Sequence, residues 1–157
     1  MFATDWVVGA IEDILLHRGH DQQQLRRVFT VVGGSMEWAA LAGFALSRTP
    51  GMAAFFNVAV WSSYTLHHSG WSANLLEVGG KDTPVMNAIS NIFNNAPGFL
   101  IPPVGLLLRR LTGSWAALFV SCGFVNWLMC LLFARYCSLV PARVQLAARD
   151  AKAKGRA

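Results

Sequence analysis

Charge is what this sequence has least of. Asp, Glu, Lys and Arg make up 13 % of its 157 residues, where about a quarter is usual in soluble domains. A water-soluble domain of this length needs more charge than that to cover its surface. Cysteine is scarce too. Cys122, Cys130 and Cys137 fall in one apolar segment, and an odd number without CxxC spacing excludes a disulfide framework and a zinc site. A basic stretch ahead of an apolar one is missing from the N-terminus, so no secretory signal is visible. Internal repeats are missing as well. His, Glu and Asp do not cluster, and no nucleophile stands at base spacing, which leaves an intramembrane enzyme without support and implies no cofactor.

What the chain has instead is apolar: 54 % of it is hydrophobic. The formal charge of +5 would suit a nucleic-acid partner, but the charges border apolar runs, so the expected partner is a lipid bilayer and not nucleic acid. A helix crosses a bilayer with about 20 mostly apolar residues. Four stretches qualify: 28–47, 51–76, 83–108 and 111–134. Between them stand Arg48 with Pro50, then Gly79, Gly80, Lys81 and Asp82, then Arg109 and Arg110. Each is expected to be a transmembrane helix, because lipid offers no partner to an open strand and barrel strands would alternate polar with apolar residues. The reading is therefore all-α and polytopic. Residues 1–27 form the end of a helix plus a loop, 28–136 the four-helix membrane part, and 137–157 a basic tail. Putting both ends on one side places ten Lys and Arg there against three on the other, which predicts cytoplasmic ends in a membrane the sequence does not name. Residues 6–16 are apolar but too short to span.

Polar residues inside such spans are costly and face other helices or a water-filled path. In the third span Asn87, Asn91, Asn94 and Asn95 share one helical face, beside Ser90. Amides there suit a polar solute or inter-helix hydrogen bonds worth about 0.6–2 kcal/mol each, and the pattern leaves both open. Pro97, Pro102 and Pro103 follow, each able to kink the helix. In the second span Asn57, Trp61, Tyr64 and His68 share a face that would suit an aqueous cavity. Taken alone, His68 reads as a neutral, hydrogen-bonded histidine. His67 and His68 are no metal pair, because successive helical side chains diverge by about 100°. In the first span Ser35, Ala39 and Gly43 recur every four residues and predict close helix contact. Glu37 is expected to play a structural part, pairing locally with the Arg residues near the start of its span.

Several segments resemble the last third of a major facilitator superfamily transporter of the anion:cation symporter group, which includes vesicular glutamate transporters and sodium/phosphate cotransporters. Gly9, Asp13, Leu15, Arg18 and Gly19 match the loop between helices eight and nine. Leu25, Arg26 and Arg27, followed by Gly33, Met36 and Glu37, are similar to the start of helix nine. Ser69, Gly70, Trp71, Ser72, Ala73 and Asn74, then Glu77, Ile89, Ser90, Asn91 and Pro102, keep the family's spacing without a gap. The family usually has Asp at Glu77, Pro at Gly80, and Gly at Pro84 and Ala88. The resemblance implies that the spans are helices nine to twelve, with ten and eleven lining the substrate cavity. It implies a substrate pathway of Asn57, Trp61, Tyr64, His68, Asn74, Asn87, Asn91 and Asn94. It also implies a cytoplasmic gate with Gly9, Asp13, Arg18 and Glu77, where Gly permits close approach. The function implied is secondary active transport of a small organic or inorganic anion by alternating access. The partner implied is the missing N-terminal half, which carries most of the family's anion-binding cations. The alternative is a non-transporting four-helix protein that assembles with another membrane protein.

Overall fold

The computed structural model describes residues 2–140 and residue 144. Among these the chain is helical and has no strand, as the apolar runs predict. The helices are α1 (Phe2–His17), α2 (Gln22–Ala45), α3 (Pro50–Gly79), α4 (Thr83–Asn95), α5 (Pro97–Thr112) and α6 (Ala116–Tyr136), with a 3₁₀ turn at Gly80–Asp82. Most of the expected basic tail, residues 141–143 and 145–157, lies outside the described residues. Local chemistry sets the boundaries. The Asp21 carboxylate accepts the Gln24 N–H at 3.0 Å and caps α2. Thr49 does the same for Met52 at 3.3 Å, with Pro50 at the first helical position. Gly113, at φ 72°, ends α5 in the left-handed conformation that only glycine adopts without strain.

Among the described residues two helices, α2 and α6, are long and apolar enough to cross a membrane. The other two expected spans differ from that measure for separate reasons. The second is one unbroken 30-residue helix, but Asn57, His67, His68 and its serines dilute its apolar character. The third is divided into α4 and α5, of 13 and 16 residues. Pro97 has no N–H to bond the Phe93 carbonyl, which interrupts the ladder. Ala96 keeps helical backbone angles (φ −54°, ψ −39°), so the interruption is a kink rather than a loop. Pro102 and Pro103 lie inside α5 without ending it.

Antiparallel packing of α2 on α3 organises the molecule. Gly33 lies against the His67 backbone, and Gly70 lies against Thr30 and the Arg26 carbonyl. A side chain at either position would collide with the facing helix. Thr30, 2 % exposed, donates its hydroxyl to the Arg26 carbonyl at 2.8 Å. α6 runs antiparallel to α2 on its other flank. There Gly34 meets Cys130, Gly123 meets Trp38, and Trp38 stacks on Trp127 with centroids 5.1 Å apart. α1 closes the group through Val8, which packs with Leu25 and Phe29 of α2.

The expected stripe of Ser35, Ala39 and Gly43 does not face one neighbour. Ser35 accepts the Trp127 indole N–H on α6 at 3.0 Å, whereas Gly43 sits under Phe56 of α3. Residues four apart on a helix rotate by about 40° per step, so over two steps the stripe winds from one partner to the other. α4 and α5 stand apart from this bundle. α4 buries no residue, α5 buries only Gly105, and Phe93 and Phe99 are 72 % and 84 % exposed.

Gly33→Leu forces a side chain into the α3 backbone. It is expected to destabilise the chain by about 3 kcal/mol, the upper part of the overpacking range. A Cβ at Gly9 meets nothing within 4 Å, so Gly9→Ala is expected to stabilise by about 0.5–1 kcal/mol. Thermal unfolding of both variants in one detergent checks the pair.

Candidate functional site

Three polar assemblies sit on this frame. The first is a cleft of about 320 Å³ between α3 and α4, with Tyr64, His68 and Trp71 on one wall and Asn87, Asn91 and Asn94 on the other. A second cleft of about 410 Å³ opens between α1 and α3 and shares Tyr64 and His68 as wall, with Asp5 and Gly9 opposite. The aromatic side chains of α3 form a run along it. Trp61 meets Tyr64 edge-on at 6.0 Å, Tyr64 lies 5.4 Å from His68, and His68 lies 4.9 Å from Trp71. Uncharged amides facing aromatic rings offer donors, acceptors and a flat apolar surface together, which suits a small polar solute.

The structure thus brings together Tyr64, His68, Asn87, Asn91 and Asn94. Trp61, half exposed, touches the run from outside the cleft. Asn57 is exposed two turns further along α3 and does not line it. Asn74 is buried elsewhere, where its amide donates to the Ser138 carbonyl at 2.8 Å. Asn95 spends its amide on the Asn91 carbonyl at 2.7 Å, within its own helix.

The second assembly is ionic and gathers at one end of the bundle. Arg26, 7 % exposed, pairs with Glu12 of α1 and with Glu77 of α3, the latter at 3.0 Å. Gln22 also donates to Glu77. Beside this set, Gln23 and Arg27 donate to the Cys137 carbonyl at 2.7 and 2.9 Å, satisfying an acceptor the end of α6 would leave open. Burial raises the Cys137 thiol above its usual pKa, with Arg27 opposing the shift. Of the expected gate residues, Glu77 therefore joins a charged network. Asp13 and Arg18 are exposed and take part in no ion pair among the described residues. Gly9 makes no close helix approach. Glu12, one residue from Asp13, carries the charge contact because it faces α2.

The third assembly lies inside the bundle. Glu37 Oε2 is 2.9 Å from His67 Nδ1 and accepts the Asn126 amide of α6 at 3.2 Å. Glu37 and His67 are in contact without an aligned hydrogen bond, and Nδ1 is buried. The expected local pairing of Glu37 with arginine does not form. Arg26 is eleven residues away, about 16 Å along the helix, and is held by two other carboxylates. Among the described residues no group of three or more His, Cys, Asp or Glu is placed to hold a metal ion. Comparison with family models, with curated proteins and with solved structures finds no match for this chain.

Arg26→Met leaves two carboxylates facing each other without a cation. Breaking a buried pair in this way is expected to cost about 3–5 kcal/mol. Adding Glu12→Gln and Glu77→Gln to the same chain is expected to restore most of that loss. Denaturant titrations of the single and triple variants measure both.

Proposed function

We propose that this chain is the C-terminal part of a secondary active transmembrane transporter for an organic or inorganic anion, of the major facilitator superfamily type and working by alternating access. The single observation that carries the reading is the meeting of the α3 face and the α4 asparagine face across one cleft. Those are the helices that the resemblance makes ten and eleven of that fold. In this reading α2, α3, the kinked rod of α4 and α5, and α6 are four membrane crossings of alternating direction. The lipid bilayer covers the apolar side chains that the bundle leaves outside. α6 supports that part of the reading, because it is strongly apolar yet little buried by its own chain. A core helix of a soluble protein is mostly buried, and contiguous exposed apolar surface marks an interaction with membrane or protein.

The end that gathers Arg26, Arg27 and the close of α6 would face the cytoplasm, with both chain ends, following the excess of Lys and Arg on that side. Asn87, Asn91, Tyr64 and His68 would contact the solute. No Lys or Arg lines the cleft, so the anion's charge would be met by the N-terminal half. The driving force would be an H⁺ or Na⁺ gradient or the membrane potential.

A second reading has its own observation. α4 buries nothing, so its asparagine face is open on this chain. A non-transporting assembly partner of another membrane protein would use that face for its contact.

Uptake of candidate anions into proteoliposomes holding the full-length polypeptide tests the first reading. Asn87→Leu and Asn91→Leu combined with Tyr64→Phe are expected to lower uptake at least about tenfold, which is about 1.4 kcal/mol. Uptake that survives all three changes rejects this site. A full-length product that takes up no anion and copurifies with a second membrane protein favours the assembly partner.

A further inference from the structure

The end of the molecule opposite the Arg26 network carries positive charge without counter-charge. There α2 closes, α3 opens and α5 hands over to α6, and Phe44 of α2 meets Phe119 of α6 edge-on at 5.3 Å. The cations are Arg48, on the turn between α2 and α3, with Arg109 and Arg110 in the last turn of α5. All three are exposed and take part in no ion pair among the described residues. The sequence has no Asp or Glu from 38 to 76 or from 83 to 149, so neither turn nor the helices beside it supplies a carboxylate.

Arg109 and Arg110 are not needed to close their own helix. The Leu108 carbonyl accepts the Thr112 hydroxyl at 2.7 Å, and the Arg109 carbonyl accepts the Gly113 N–H at 2.8 Å. The Arg109 guanidinium instead lies over the Trp115 ring, 5.0 Å from its centroid. That contact engages the flat face of the cation. It leaves the N–H groups at its edge for an anion.

The surface leading up to these arginines is apolar. Leu100, Val104, Leu107 and Leu111 recur at i, i+4, i+7 and i+11, so they share one face of α5, and all four are exposed. The stripe is about 16 Å long at the helical rise. That is about half of a hydrocarbon core of about 30 Å, the depth of one leaflet. A soluble anion would use the guanidinium groups and leave the stripe bare. An amphiphile with an anionic head uses both.

We propose that Arg109 and Arg110, with Trp115 and the exposed stripe of α5, form a binding site for an anionic phospholipid. Its phosphodiester lies on the arginines, where charged acceptors make the stronger hydrogen bonds, and an acyl chain lies along the stripe. Trp115 stands at the headgroup level, where indole rings collect. The site rests on the bilayer part of the functional reading above and not on transport.

Trp115 fluorescence of the full chain in phosphatidylcholine vesicles tests the site, with brominated phosphatidylglycerol and brominated phosphatidylcholine as the two quenchers. The Trp115 signal is the difference between the chain and its Trp115→Phe variant. The quenching midpoint is expected at a mole fraction at least about fivefold lower for phosphatidylglycerol, the weight of one arginine near a charged lipid. Arg109→Gln and Arg110→Gln are each expected to raise that midpoint about fivefold. Arg135→Gln, which removes one charge at the other end, leaves it in place. Equal midpoints for the two lipids overturn the proposal, as does a midpoint that Arg135→Gln moves just as far. Should Arg109→Gln fail to fold, Arg110→Gln keeps the stack on Trp115 and decides alone. A full-length polypeptide in which neither lipid reaches Trp115 assigns this end to a protein contact and overturns the site. Alkaline extraction separates the levels. A chain stripped from the vesicles rejects the bilayer reading and the site with it, whereas a chain that is retained without lipid preference rejects the site alone. Selective quenching in a full-length protein that moves no anion rejects the transport reading and leaves the lipid site standing.

Discussion

The packed part of this molecule depends on how closely α2 admits its neighbours. Gly33 and Gly70 let the α2 and α3 backbones come nearly into contact, and Gly34 and Gly123 make room for the Cys130 and Trp38 side chains between α2 and α6. At that separation short polar side chains reach across. The Thr30 hydroxyl is enclosed, Glu37 meets His67 and Asn126, and Ser35 receives the Trp127 indole. A larger residue at any of those glycines would push the helices apart and take Glu37 and Ser35 from their partners on the facing helices. In an apolar medium unpartnered polar groups are expensive. Steric fit and polar satisfaction are therefore one constraint here.

Polar density is also unevenly distributed along the bundle. The guanidinium of Arg26 and its two carboxylates pair at one end of it. The middle holds a single carboxylate, an imidazole and amides. α4 places only amides toward its cleft. Ion-paired arginine is thus confined to one end of the bundle, and the α4 wall of the cleft carries no titratable group.

The all-helical fold was legible in the apolar runs, and the shared face of Tyr64 and His68 in their helical spacing. The boundaries were less so. α2 begins well before its apolar stretch because its first turn is Gln-rich and is set by the Asp21 cap. Pro97, Pro102 and Pro103 of the third stretch look alike in the sequence, but only Pro97 divides it. The buried Glu37 and His67 were each visible, yet spacing along one helix carries no information about which residue of another helix stands opposite. That requires the register of α2 against α3, which the glycines set. For the same reason Glu12 was passed over in favour of its neighbour Asp13, and Asn74 was grouped with a face it does not share.

The fastening of the chain beyond α6 carries its own consequence. Gln23, Arg27 and Asn74 all grip main-chain carbonyls, those of Cys137 and Ser138. Every amino acid supplies that carbonyl, so the clasp is blind to which side chains follow α6. Sequence drift at those two positions leaves the acceptors of the clasp in place, whereas drift at the three gripping residues, more than sixty positions away along the chain, removes its donors.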